Sequence, residues 1–180
     1  IIRINSQSGK GGVAFIMEHE FGYILPKAMH PELGGMIKQK SDEAGRELSP
    51  DEIMDVFKEN YLDVSGPYKL VDYQVESRSG SVSVNAKIYK DNELFDISGK
   101  GNGPISAFFD ALKSTSASKY RFEAYSEHAL SSGADAEAVA YIQLENGGGR
   151  SVFGVGKDRN TTTASFEAII CALNRAATGK

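Results

Sequence analysis

Asp96-Ile97-Ser98-Gly99-Lys100-Gly101-Asn102-Gly103-Pro104 and, about 55 residues further on, Val152-Phe153-Gly154-Val155-Gly156 end in the same way: a β-like run, a Gly-x-Gly turn, then an amphipathic helix. In the first helix Ile105, Phe108, Phe109 and Leu112 recur at i, i+3, i+4 and i+7. The second opens on Thr161-Thr162-Thr163, and Phe166, Ile169, Ile170 and Leu173 repeat that spacing, one apolar stripe per helix. Placing Gly99 on Gly154 and Gly101 on Gly156 sets the turn at Lys90 to Asn92 opposite the stretch from Glu145 to Gly147. The pattern is an internal duplication. It predicts an α+β fold in which a βββα unit occurs twice.

Upstream of each turn the period is two. Leu70, Asp72, Gln74 and Glu76 alternate with Val71, Tyr73 and Val75, and Val82, Val84, Ala86 and Ile88 form a second alternating strand. Leu94 to Ile97 completes a meander. The second copy runs through Tyr120 to Ala129, Ala136 to Leu144 and Ser151 to Val155. Two sheets or half-sheets covered by two helices are expected, an arrangement that suits an internal sandwich or a dimer interface.

Before Ser65-Gly66-Pro67 the pattern is helical. Val13 to Met17 begins a short helix after Gly11-Gly12 that Gly22 closes, Pro26 starts the next segment, and a second helix covers about Pro31 to Ala44 before Gly45. Ser49 as N-cap, Pro50 at the first helical position and Glu52 as capping-box partner start a third, with Ile53, Val56, Phe57 and Tyr61 on one face. Three short helices bury little alone, so this block is expected to pack on a neighbouring domain. The division expected is a helical linker subdomain over 1–65 and a domain over 66–180 made of repeats at about 66–116 and 117–180.

With 41% apolar residues in 180, the chain has enough for a globular, soluble core. Its net charge of −4 is spread over mixed charges with no basic block, which argues against nucleic acid and against a basic membrane face. No apolar run approaches the roughly 18–20 residues that span a bilayer, and Ile1-Ile2-Arg3-Ile4-Asn5 does not read as a signal peptide. Beginning in a strand-like run without methionine, the chain reads as a piece of something larger. The single cysteine, Cys171, lies in the last apolar helix, fits a reducing, cytoplasmic compartment and reads as core packing.

Few residues invite catalytic roles. Ser6-Gln7-Ser8-Gly9-Lys10-Gly11-Gly12 departs from the phosphate-loop pattern, because Ile4 stands where its first glycine belongs and Gly11 where its Ser or Thr belongs. That leaves Lys10 and free N–H groups at a helix start, facing an anion or another domain, or else a flexible cap. Gly99-Lys100-Gly101-Asn102-Gly103 lets backbone approach a ligand or serves a tight strand-to-helix corner. It lacks the acidic residue and βαβ frame of a dinucleotide site. His19, His30 and His128 share no metal-ligand spacing, and no nucleophile elbow or Cys–His arrangement occurs. Tyr125 to Ala136 interrupts a β pattern with small and polar residues and leaves room for a branched aliphatic side chain, or is a strand-end turn.

Four separated motifs in order give the chain a family resemblance along its whole length. Arg3-Ile4-Asn5-Ser6-Gln7-Ser8-Gly9-Lys10-Gly11-Gly12-Val13-Ala14, the GNGP from Gly101 to Pro104, the EHALSSGADA from Glu127 to Ala136 and the TTTAS from Thr161 to Ser165 resemble the C-terminal half of 2-isopropylmalate synthases. The resemblance implies a linker subdomain followed by a regulatory domain that binds leucine and inhibits the enzyme by feedback, in a cytoplasmic homodimer. It also implies that the condensation of acetyl-CoA with 3-methyl-2-oxobutanoate, and its divalent metal, belong to an N-terminal barrel absent from this chain. The fragment alone would then be inactive and hold no cofactor.

Carried over motif by motif, the resemblance points to a leucine pocket of Gly101, Gly103, Ile105 and Ser106 from the first repeat with Phe122, Tyr125, Ala129, Ala136 and Thr161 from the second. Thr161 stands where relatives can carry an aliphatic residue and Ser106 where they can carry Ala, so the pocket is more polar than in those relatives. Phe15 fills a position where relatives can have Tyr. Two other readings stay open: a structural dimerisation module that has lost its ligand, and the regulatory domain of a related acyltransferase such as citramalate synthase with isoleucine as effector. The Ser6 to Gly12 run favours the isopropylmalate branch.

Overall fold

The computed structural model describes residues 9–131, 133 and 135–179. The strand-like start at Ile1 to Asn5 and the Ser6 to Ser8 part of the glycine run lie outside the described residues, as does the side chain of Lys10. Ser132 and Ala134 of the EHALSSGADA motif do as well.

Three helices come first. Helix α1 covers Gly9–Phe21, starting earlier than the Gly11-Gly12 pair suggested, and Gly22 ends it with φ +80. Its amide donates to Glu18 O while that of Tyr23 reaches back to Met17 O, a closure open to glycine because of the left-handed backbone. Helix α2 spans His30–Ala44 after a single 3₁₀ turn at Lys27–Met29. Helix α3, Pro50–Phe57, carries the expected capping box: Glu52 N donates to Ser49 Oγ and Ser49 N donates to Glu52 Oε1. It runs on into a π turn at Lys58–Leu62.

Two meanders follow, each closed by a helix. Strands β1 (Tyr68–Arg78), β2 (Ser81–Lys90) and β3 (Glu93–Gly101) pair in sequence order as one antiparallel sheet, and α4 is Pro104–Leu112. Strands β4 (Arg121–Ala129), β5 (Ala138–Glu145) and β6 (Ser151–Asp158) pair in the same way, and α5 is Thr161–Thr178. Asp91 and Asn92, both at positive φ, make the two-residue β2–β3 turn, which suits the strand twist.

The alternation expected of β1 is broken. Val71 has no partner between the pairs Leu70 to Ile88 and Asp72 to Lys87, so it forms a bulge and sits exposed. The extra residue moves Leu70 to the core side with Tyr73 and Val75, whereas strict alternation would have put Val71 there. Strand β4 carries an irregularity of its own at Glu123, between Phe122 and Ala124.

The paired glycines explain how each helix seats. A Cβ on Gly99 would run into Ala107 O and Ala111 N of α4, and one on Gly154 into Ala168 O and Ala172 N of α5. Gly101 is similarly pressed against Ser106 Oγ and Ala107 N, and Gly156 against Ala164 O and Ala168 N. Of the two readings of the Gly-x-Gly turn, the tight strand-to-helix corner accounts for Gly99 and Gly101. The helices meet through Phe108 and Phe166, whose rings stack at 4.3 Å, and both sheets' inner faces join them in one core.

The helical block has its neighbour within the chain. Met17, Leu33, Ile37, Ile53, Phe57 and Tyr61 share a second core with Val139, Tyr141, Phe153 and Val155 on the outer face of the second sheet. Arg175 of α5, fully buried, pins this contact. Its Nη1 donates to Phe153 O at 2.7 Å, its Nη2 lies 2.9 Å from Glu32 Oε1, and its guanidinium stands 4.2 Å from the Tyr61 ring centre. Cys171 is buried as expected, donating to Tyr61 O at 3.3 Å, and burial pushes its thiol pKa up.

Candidate ligand pocket between the repeats

Helix α4 is short, and the chain leaves it through a 3₁₀ turn at Ser116–Lys119 to reach β4. Between α4 and β4 lies a cavity of about 810 Å³, within the roughly 300–1,000 Å³ usual for small-molecule sites. Ile105 and Phe109, one turn apart on α4, form one wall, and Phe122 and Tyr125 of β4 the other. Phe109 and Phe122 meet edge to face at 6.0 Å. Phe122 is 49% exposed, an aromatic ring held in an open seam. A second cavity of about 890 Å³, between the start of β1 and the end of α5, is lined by Lys90, Asp91 and Lys119 together with Tyr68, Leu173 and Ala176, and its lining is the more polar of the two.

Polar groups stand at the rim. Ser106 Oγ accepts from Gly103 N at 3.2 Å and donates to Asn102 Oδ1 at 2.9 Å, which fixes the first turn of α4. Asp110 accepts from Lys100 N at 2.9 Å and lies 3.4 Å from Lys113 Nζ. The Lys100 amide first, and then Lys113, hold its carboxyl below the usual range. The Tyr125 hydroxyl is 2.6 Å from both Glu127 Oε2 and Ser165 Oγ. Burial, with the Glu127 carboxylate behind it, pushes its pKa up to about 12, so the phenol stays neutral and able to donate. Hydroxyls, an amide-capped helix start and both charge signs over an apolar floor can bind a small amphiphile. Among the described residues no His, Cys, Asp and Glu cluster fits a metal ion, and no helix is long and apolar enough to cross a membrane.

Of the nine residues the family resemblance pointed to, five line this cavity: Gly103, Ile105, Ser106, Phe122 and Tyr125. Thr161 is exposed in the first turn of α5, where its carbonyl accepts from Ser165 Oγ, and Ser165 ties that turn to Tyr125. Gly101 ends β3 beneath α4 and does not face the cavity. Ala129 ends β4, paired with Ala138, and Ala136 lies half-buried before β5; neither lines the cavity. Phe109, Asp110 and Tyr120 line it unannounced by sequence. For Phe109 the signal was present in the apolar stripe of α4, but a stripe does not distinguish a core wall from a pocket wall.

His128, without metal partners by spacing, has a structural post: its Nε2 accepts from Ile24 N at 3.1 Å and lies 2.8 Å from the Tyr141 hydroxyl. It joins β4 to the segment after α1.

Residues 47–177 match the LeuA allosteric (dimerisation) domain. Over 97% of the chain there is 49% identity to a 2-isopropylmalate synthase of Clostridium acetobutylicum, of which that stretch makes up 32%. A Pseudomonas syringae 2-isopropylmalate synthase is 39% identical over 97% of the chain and 31% of its own length, and one from Azoarcus sp. 41% identical over 98% and 30%. The chain thus spans about a third of the length of the curated relatives it matches.

Proposed function

This chain belongs to the LeuA allosteric (dimerisation) domain family, and from that premise we propose that it binds leucine and imposes feedback inhibition on a 2-isopropylmalate synthase. The observation that carries the reading is the open seam between α4 and β4: an apolar cavity of about 810 Å³, walled by Ile105, Phe109 and Phe122, with the start of a helix at its rim. The isobutyl group of leucine suits the wall. Its carboxylate suits the first turn of α4, where unpaired N–H groups and the helix dipole favour an anion, and Asp110 offers a carboxylate to its ammonium.

Ala129, Ala136 and Thr161 complete the proposed set from the second repeat, with Gly101 holding the corner. The helical segment over 1–65 serves as linker to a catalytic barrel outside this chain, where the condensation of acetyl-CoA with 3-methyl-2-oxobutanoate and its divalent metal are placed. The active assembly is a cytoplasmic homodimer, joined through the repeats. Inhibition requires that leucine prefer one conformation of the whole enzyme, with a coupling of about 1–3 kcal/mol.

Calorimetric titration of the chain with leucine, isoleucine and valine tests this. Leucine is expected to bind most tightly; preference for isoleucine would move the chain to the citramalate branch, and no heat or thermal shift with any of them would leave a purely structural module. Gly103→Val sharpens the test. A Cβ there meets nothing within 4 Å and φ is −161, so valine fits the fold and places bulk at the pocket rim. Binding should vanish while the dimer survives, and unchanged leucine affinity would show that the pocket lies elsewhere.

A further inference from the structure

The duplication provides two equivalent seams: the one between α4 and β4 is open, and in the other a side chain fills the corresponding place. Gly99 stands opposite Val84 and Gly154 opposite Ile142, which sets the correspondence of the sheets. Tyr73, opposite Ala86, then matches Phe122, opposite Leu144, and Val75 matches Tyr125. On the helices, Gly99 presses on Ala107 and Ala111 where Gly154 presses on Ala168 and Ala172, so Ile105 matches Phe166. The counterpart of the α4–β4 cavity is therefore the α5–β1 seam, walled by Phe166 and Tyr73.

That seam is filled from within. The Tyr73 ring packs edge-on against Phe166 at 4.8 Å, and Phe166 in turn stacks on Phe108. The Tyr73 hydroxyl lies 2.5 Å from Thr163 Oγ1 and 3.4 Å from Asn160 Oδ1, the side chain that caps α5. A turn of helix absent from α4 reaches over the seam: Ala168 comes seven residues after the start of α5, Ala107 only three after that of α4. Tyr73 thus places an apolar body against the wall and a polar tip at a helix start, the two features offered to a ligand in the open cavity.

We infer that Tyr73 is a built-in occupant of a second amino-acid seat, and that it limits the chain to one effector. The inference rests on the leucine reading of the open cavity. Removing the phenol opens the α5–β1 seam to the same class of ligand, a branched aliphatic α-amino acid, at the first turn of α5.

Calorimetric stoichiometry on the whole chain tests it. Wild type is expected to take one leucine per chain and Tyr73→Ala two; Tyr73→Phe, which keeps the ring, stays at one. If Tyr73→Ala fails to fold by circular dichroism, Tyr73→Val, with its stronger strand preference, replaces it. A folded variant still binding one leucine, or binding two with Tyr73→Phe, overturns the inference and leaves the open pocket standing. If wild type takes no leucine, isoleucine or valine, the reading of the open pocket fails, and phenol, the fragment deleted, decides the closed seam separately. Uptake of phenol by Tyr73→Ala but not by wild type supports the plug; uptake by neither overturns it.

Discussion

On the outer face of the first sheet Ser83 stands opposite Lys100, and at the same register on the second sheet Tyr141 stands opposite Val155. Ser98 and Asn85 likewise correspond to Phe153 and Gln143. One outer face carries mostly hydroxyls, amides and charges in water, with Tyr89 and Leu94 exposed at one end; the other is aromatic and aliphatic, and buried under α1, α2 and α3. The inner faces, by contrast, carry similar apolar residues and seat their helices over glycines in the same way. Duplicated backbones can thus keep one face for the shared core while the other diverges with its surroundings. Strand β2 keeps its period of two, buried at every other residue, whereas β5 is buried almost throughout because both its faces are covered.

The largest effect should come from the covered face. Phe153→Ala is expected to cost about 3–5 kcal/mol in urea denaturation, the usual range for a buried aromatic truncated, while Ser98→Ala, across the pseudo-repeat and exposed, should stay within about 0.5 kcal/mol. Equal losses would show that the two outer faces are not energetically distinct. Arg175→Met comes next, at about 3 kcal/mol, because Glu32 and the Phe153 carbonyl lose a buried cation held between them. Hydrogen exchange should show that loss first in the helical block; uniform weakening of both repeats would contradict the role given to Arg175 as a pin.

Gly99→Ala and Gly154→Ala probe what the repeats still share. Each forces a methyl against helix backbone, and each is expected to cost about 1–3 kcal/mol by the same denaturation assay. A neutral result at either position would mean that its helix does not rest on the strand as closely as its twin. The smallest effects belong to the exposed cap of α3. Ser49→Ala should cost about 1 kcal/mol. Glu52, held by the Arg46 guanidinium first and then by the Ser49 amide, has its pKa lowered to about 2. With a folded value below the unfolded one, its contribution is present above about pH 4.3 and is lost as pH falls through about 2. A carboxyl titration by NMR near 4 would break that assignment.

Much of this molecule was legible in the chain before any coordinates. Ser49, Pro50 and Glu52 announced α3 because a capping box is a local hydrogen-bond pattern, and Val82 to Ile88 announced β2 because period two is a property of one strand. The pair Gly99 and Gly154 announced the duplication. The bulge at Val71 escaped, since the alternation of apolar residues around it is compatible with either register, and only pairing to Ile88 and Lys87 selects one. The continuous run Val139-Ala140-Tyr141-Ile142 carried a signal that both faces of β5 are covered, but nothing in it named the helices that cover it. Five of the nine site residues converge on one cavity because Gly103, Ile105 and Ser106 begin α4 and Phe122 and Tyr125 lie on β4, two elements that the fold sets side by side, while Ala129 ends β4 at its far end and Ala136 follows it before β5.

By itself the sequence determined the kinds and order of the elements, the twofold repetition and the apolar stripe of each helix, because caps, turns and periodicities act over a few neighbouring residues. Tertiary structure alone decided that the helical block lies on the second sheet, that Tyr73 fills one seam and that the other stays open. Those outcomes depend on which side chains from distant segments compete for the same volume, and no local pattern encodes that competition.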